Sequence, residues 1–91
     1  APVSLTVASA GGVVSLFWPT NPEPDVVGYN VYRQEPPDGA WTRITEKPVT
    51  RTTYRDDRVR TGTRYTYRLT AVDRYGNESA PGESVVETAS P

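Results

Sequence analysis

The chain has 91 residues, a net charge of −1 and a composition that is 35% hydrophobic and 23% charged. This length fits a single domain, and the two Trp, six Tyr and one Phe suffice to centre a small core, which excludes a disordered tail. The chain contains no Cys and no His, so disulfides, His-assisted nucleophilic sites and the commonest metal ligands are excluded. We therefore expect no catalysis, no metal and no cofactor. No apolar run approaches the roughly 20 residues that a membrane span requires, so no membrane insertion is expected.

Positive charge is concentrated in one part of the chain. Nine of the ten basic residues lie between Arg43 and Arg74, where only four acidic residues occur, so this segment is near +5 and the remainder near −6. Such a segment could attract an anionic polymer. The alternative is that these side chains line solvated strand faces, and the acidic pI of about 5.3 favours it. No nucleic-acid partner is expected.

Apolar residues recur at every second position along most of the chain, which indicates strands rather than helices. The pair Gly11-Gly12 is a two-residue hairpin signal. Pro19, Pro22 and Pro24 end the second strand, because proline cannot donate a hydrogen bond to a sheet. The predicted strands, in chain order, cover residues 5–7, 14–18, 28–32, 41–45, 52–56, 63–73 and 84–88.

The same alternation predicts which side chains face the core. In segment 63–73, the clearest strand, aromatic and aliphatic residues share one side while Arg and Thr share the other. Burying one large side chain stabilises the fold by about 1.5–3 kcal/mol. The predicted inward residues are Trp18, Tyr29, Val31, Tyr65, Tyr67, Leu69 and Ala71.

Seven short strands separated by turns are typical of an antiparallel β-sandwich. We therefore predict one all-β, immunoglobulin-like domain over residues 1–91, with its core at about 3–88 and linker stubs at 2–4 and 89–91. An odd number of strands places the two chain ends at opposite poles. The domain is then a rod segment about 30–40 Å long.

Several motifs, in their order and spacing, resemble the fibronectin type III family over nearly the whole chain. They are Leu5-x-Val7, Trp18-Pro19, Tyr29-x-Val31, Val59-x-x-Gly62-Thr63-x-Tyr65 and Tyr67-x-Leu69-x-Ala71-Val72. Val59 and Thr61 stand where the family usually has Leu and Pro. The resemblance implies a seven-stranded antiparallel sandwich. It also implies a tyrosine corner, in which the Tyr65 hydroxyl bonds a backbone group a few residues upstream.

Segments 28–33, 53–56 and 71–79 are similar to a bacterial subset of this family. That subset is common in secreted multidomain glycoside hydrolases and in surface proteins, where the module is usually a spacer between a catalytic and a binding domain. The resemblance therefore implies a non-catalytic module with an extracellular or cell-surface location. Its partners are then neighbouring domains of the same polypeptide.

Two charged residues depart from the family's pattern. Arg33 lies on the inward side of its strand where the family often has an aromatic residue, and Asp56 shares the side of Tyr54, where an aliphatic residue is usual. Because the two strands face each other across the sandwich, we predict that Arg33 contacts Asp56 or its neighbour Asp57. Removing one partner would leave a partly buried charge.

Two surface regions are candidates for binding. Tyr32 and Arg68 are predicted to share an outer face, Tyr75 is exposed in a turn, and such residues are enriched at the centres of interfaces. The other region is one pole, where two loops gather hard-oxygen side chains that calcium could use. The acidic residues lack the close spacing of a calcium-binding loop, so the favoured interpretation is that these side chains form hydrogen bonds within turns. The residues concerned are Asn21, Glu23, Asp25, Asp73, Asn77 and Glu78.

The favoured interpretation is a non-catalytic spacer that is monomeric as an isolated domain. One alternative is a module that binds a polysaccharide or a protein. Another is a surface subunit that self-assembles through its edge strands or by stacking of its poles.

Overall fold

In a computed structural model, which describes residues 5–20, 24–35, 39–82 and 84–91, the chain forms seven strands, with no helix among the described residues. The molecule measures 38 × 24 × 21 Å. The strands pair into a three-stranded sheet, in the order β1-β2-β5, and a four-stranded sheet, in the order β4-β3-β6-β7. This is the predicted all-β sandwich. The strands are β1 (Thr6–Ala10), β2 (Val13–Phe17), β3 (Val26–Gln34), β4 (Thr42–Arg43), β5 (Thr53–Asp56), β6 (Arg64–Asp73) and β7 (Val85–Thr88).

The β1–β2 hairpin follows from its two-glycine turn. Both Gly11 and Gly12 have positive φ angles, 62° and 77°, as the tightest hairpin turns require. The pairing continues from Ala10 with Val13 to Thr6 with Phe17, and β5 adds to the other side of β2.

The β3–β6 pair forms the centre of the larger sheet. It runs antiparallel from Gln34 with Thr66 to Val26 with Asp73, with a bulge near Gly28. The fourth strand is shorter than the predicted 41–45. The Val31 carbonyl still accepts from Ile44 N–H (2.9 Å), but the Val31 N–H donates to the Thr45 hydroxyl (3.3 Å) and not to a backbone carbonyl, so the regular pairing stops at Arg43.

The core lies between the two sheets and is built from alternate residues of their long strands. Val14, Leu16, Val31 and Tyr67 are fully buried. The ring of Trp18 meets that of Tyr29 edge-on, with centroids 5.5 Å apart. All seven residues of the predicted inward set are at most 5% exposed.

The C-terminal residues are not a free stub. Ala89 is 1% exposed, its N–H donates to the Thr63 carbonyl (2.9 Å), and its carbonyl accepts from Gly62 N–H (2.8 Å). The predicted stub at 89–91 is therefore wrong at its first residues, because a small side chain followed by backbone hydrogen bonds seals the core beside β1. The predicted stub at 2–4 lies outside the described residues.

Candidate functional site

A charged cluster centred on Asp56 of β5 lies in the interior. Arg33 Nη1 donates to both carboxylate oxygens (3.2 and 3.0 Å), Tyr67 Oη donates to Oδ2 (2.8 Å), and Arg58 N–H donates to Oδ1 (3.2 Å). Asp56 is 3% exposed, so every bond it accepts is made out of water. The structure thus brings Arg33 to Asp56, while Asp57 is exposed.

The two side chains that donate to Asp56, Arg33 and Tyr67, both have raised pKa values. Burial raises the pKa of Tyr67, and the hydrogen bond to Asp56 raises it further. Burial lowers the pKa of Arg33, but the bonds to Asp56 outweigh this and leave it raised. Since both donors stay protonated and the carboxylate is saturated with donors, the cluster offers no free base and serves to hold the two sheets together.

Tyr65 closes the corner before β6. Its buried hydroxyl accepts a hydrogen bond from Arg60 N–H (2.8 Å), five residues upstream. The tyrosine corner is present, with the hydroxyl as acceptor of a backbone donor. Gly62 takes the positive φ of 87° that this turn requires.

The outer face of the larger sheet carries a stack of three side chains. The Arg68 guanidinium lies 4.1 Å from the centroid of the Trp41 ring and 5.9 Å from that of Tyr32. Arg68 Nε is buried and has no hydrogen-bond partner among the described residues, and the face of the Trp41 ring takes the place of one. The structure therefore joins Tyr32 to Arg68 and adds Trp41, which directly precedes the two-residue strand β4.

Tyr75 does not belong to this stack. It is 76% exposed in the turn between β6 and β7, and its neighbour is the Arg74 guanidinium, 5.9 Å from the ring centroid. The predicted face thus separates into the stack and a lone exposed tyrosine.

Glu78 fastens the segment after β6 to the same outer face. One of its carboxylate oxygens accepts hydrogen bonds from Asn30, Tyr32 and Thr70. Partial burial raises the pKa of Glu78, but these hydrogen bonds outweigh it, and the pKa lies below its usual 4.5. Burial and this carboxylate together raise the pKa of Tyr32.

At the pole proposed above for calcium, the described acidic side chains Asp25 and Asp73 bond groups of the neighbouring turns. The Asp73 carboxylate accepts from the backbone N–H groups of Tyr75 and Asn77 (both 2.9 Å), and Asp25 pairs with Arg74. The backbone bond from Asn77 is the main reason that the pKa of Asp73 is lowered. Asn21 and Glu23 lie outside the described residues, within which no group of three or more acidic side chains could hold a metal ion. That part of the chain also contains no helix able to cross a membrane.

Known proteins resemble this chain over one domain's length. No profile of a protein family matches it. An amylopullulanase from Thermoanaerobacterium thermosulfurigenes is 36% identical over 86 residues, which is 94% of this chain and 4% of that protein. Another, from Thermoanaerobacter thermohydrosulfuricus, is 40% identical over 81 residues, or 89% of this chain and 5% of that protein. The chain thus spans only a small fraction of these relatives.

A solved structure agrees with the sequence similarity. A Fn3-like protein from Clostridium thermocellum has a TM-score of 0.79 and 32% identity to this chain, and the match covers 93% of this chain and 86% of that one.

Proposed function

Because the chain belongs to the fibronectin type III family, we propose that it is a non-catalytic module which spaces and positions the neighbouring domains of a larger, secreted or cell-surface glycoside hydrolase. The observation that carries this proposal is the extent of the similarity: nearly all of the chain matches, yet it accounts for 4% of an amylopullulanase.

The architecture suits this role. Leu5 directly precedes β1 at one end of the sandwich, and Ser90 is held at the other end, where its carbonyl accepts from Gly12 N–H (2.8 Å) and its N–H donates to Ser9 Oγ (2.8 Å). A chain that enters at one pole and leaves at the other keeps its neighbours at least one domain length apart. The buried Asp56 carboxylate and its donors Arg33 and Tyr67 bind one another, which supports a module without chemistry of its own.

The spacer role is tested by placing the domain between two fluorescent proteins and measuring the distance distribution by time-resolved energy transfer. We expect a narrow distribution, whereas a Gly/Ser linker of the same number of residues should give a broad one. A broad distribution for the folded domain would contradict the proposal. Activity assays on amylose and pullulan with the isolated chain should show no hydrolysis.

A second candidate function rests on the Trp41–Arg68–Tyr32 stack, because aromatic rings beside Arg form the centres of many interfaces. This face could bind a polysaccharide or a protein. Affinity electrophoresis in gels that contain amylose or pullulan tests polysaccharide binding. Retardation that Tyr32→Ala abolishes and Tyr75→Ala preserves would favour binding over spacing.

Sedimentation at about 100 μM separates a monomer from a self-assembling subunit.

A further inference from the structure

We propose that the open edge of the sandwich between β4 and β5 binds an anionic polysaccharide. β4 ends the larger sheet and β5 ends the smaller one, whereas β1 and β7 pack together on the opposite side. Three cavities of about 330, 390 and 440 Å³ lie along this edge. All three have Tyr54 in their lining, and together they are here called the edge groove.

Tyr54 forms the floor of the edge groove. Its ring is half-buried, and its hydroxyl donates to the Ile44 carbonyl (3.1 Å), which ties β5 to the segment after β4. The floor is therefore fixed by contacts between the two sheets and does not depend on a ligand.

The walls carry an excess of positive charge. Arg33 and Asp56 also line the groove but neutralise each other. Among the lining residues, Glu46 and Asp57 then oppose the five remaining cations, which are all exposed and form no ion pair with any described residue. Those five are Arg43, Lys47, Arg51, Arg55 and Arg58. One of the five, Arg43, also interacts electrostatically with Glu78 outside the groove.

Unpaired cations along one groove repel each other, and a polymer with regularly spaced negative charges offsets that repulsion. Arg is suited to the task, because its planar fork binds carboxylate or phosphate oxygens through two hydrogen bonds. A neutral glucan offers hydroxyl groups but no charge. The ligand of the edge groove therefore belongs to a different class from an uncharged glucan.

Polar groups between the cations favour a sugar polymer over a nucleic acid. Thr42, Thr50 and Thr53 line the groove and can exchange hydrogen bonds with sugar hydroxyls. Bases of a single-stranded nucleic acid need exposed rings on which to stack. The aromatic ring that the edge groove presents, Tyr54, is half-buried and tied to Ile44.

The test compares carboxymethyl-dextran with unmodified dextran of the same length, because the two differ only in negative charge. In isothermal titration calorimetry, we expect the 91-residue chain to bind carboxymethyl-dextran saturably and to show no binding to dextran. Raising the salt from about 50 to 200 mM should weaken binding about tenfold, as expected when a few cations displace counterions. Binding to both polymers, or to neither, would overturn the proposal.

Two variants with the same loss of charge locate the site. Arg51→Gln/Arg55→Gln removes two cations of the groove, and Arg60→Gln/Arg64→Gln removes two exposed cations outside it. The groove variant should bind at least about fivefold more weakly and the control less than about twofold more weakly. Equal losses would show a response to net charge and overturn the site.

Two further measurements keep the proposal falsifiable if the groove variant folds poorly. Amide chemical-shift changes in the unmodified chain, on addition of carboxymethyl-dextran, should cluster in residues 42–58, and changes centred on Tyr32 and Arg68 would overturn the assignment. A single-stranded oligonucleotide that binds more tightly than carboxymethyl-dextran would reassign the groove to nucleic acid.

Discussion

Arg33 Nη1 lies 3.0 Å from Asp56 Oδ2, and this contact joins β3 of the larger sheet to β5 of the smaller one across the interior. The Arg33 side chain is 14% exposed and that of Asp56 is 3% exposed. Water is therefore excluded from the Asp56 carboxylate and reaches only the edge of the Arg33 side chain. Such a pair contributes little compared with apolar packing, but losing Asp56 leaves the Arg33 charge with only the Arg58 carbonyl (3.2 Å) and the exposed Glu35 carboxylate (3.3 Å) as acceptors.

We expect Asp56→Ala to lower the free energy of unfolding by about 3–5 kcal/mol, because Tyr67 loses its acceptor and Arg33 loses its buried partner. Arg33→Met should lower the free energy of unfolding somewhat less, because Tyr67 Oη and Arg58 N–H still donate hydrogen bonds to the Asp56 carboxylate. In urea denaturation, the double variant Arg33→Met/Asp56→Ala should lose about 1–3 kcal/mol less free energy of unfolding than the sum of the two single losses. Additive losses would mean that the two side chains do not act as a pair.

Tyr65→Phe should keep the fold and lower the free energy of unfolding by about 1 kcal/mol. The change removes the acceptor of Arg60 N–H, and because Arg60 is exposed, water can take over part of that bond. Tyr75→Phe is the matched control, since its ring is 76% exposed, and it should leave the urea midpoint unchanged. An unaltered midpoint for Tyr65→Phe would refute the role given to the corner.

Gly28→Ala should lower the free energy of unfolding by about 1–3 kcal/mol, because the added methyl group overpacks the site. A Cβ at this position would lie 2.8 Å from the Pro48 Cβ and 3.2 Å from the Val49 carbonyl oxygen. The segment must then move away from β3, which weakens the two hydrogen bonds between Tyr29 and Val49 (2.9 and 2.8 Å). Hydrogen exchange measures this directly: the amides of Tyr29 and Val49 should exchange faster than in the parent chain, while the Val14 amide changes only with global stability.

Glu78 should make stability depend on pH in the acidic range. Its pKa in the folded chain is below the usual 4.5, so its contribution is complete above pH 4.5 and is lost as the pH falls through the folded-state pKa. We expect Glu78→Gln to be less stable than the parent at pH 6 and the difference to shrink below pH 4.5. Asp73 also has a lowered pKa but is present in both proteins, so its effect cancels. A constant difference from pH 6 to pH 3 would contradict the role of Glu78.

Local alternation explains why the sandwich and its core were accessible to prediction. In β6, residues 65, 67, 69 and 71 all point inward because a strand places alternate side chains on opposite faces. Asn30 shows where this reasoning stops. Alternation assigns it to the outer face, yet it is 4% exposed, because Thr45 and Glu78 cover it from distant parts of the chain. No pattern within β3 encodes those neighbours.

The same limit applies to the candidate sites. Family comparison of single positions was enough to propose the Arg33–Asp56 pair. The side on which Trp41 lies depends on how the chain enters β4, which is only two residues long, so its place beside Arg68 required the structure. The burial of Ala89 also escaped prediction, because a small residue followed by Ser and Pro has the composition of a linker.

The placement of the chain ends bears on how the domain responds to force. Tension applied through its neighbours enters at Leu5 and leaves at Ser90, so the load runs along the strands and across the hydrogen bonds between β1 and β2 and those of Ser90 with Ser9 and Gly12. Bonds loaded in this shear geometry break together, whereas a hairpin pulled from its open end unzips one bond at a time. The domain should therefore act as a stiff link that transmits pulling forces before it yields.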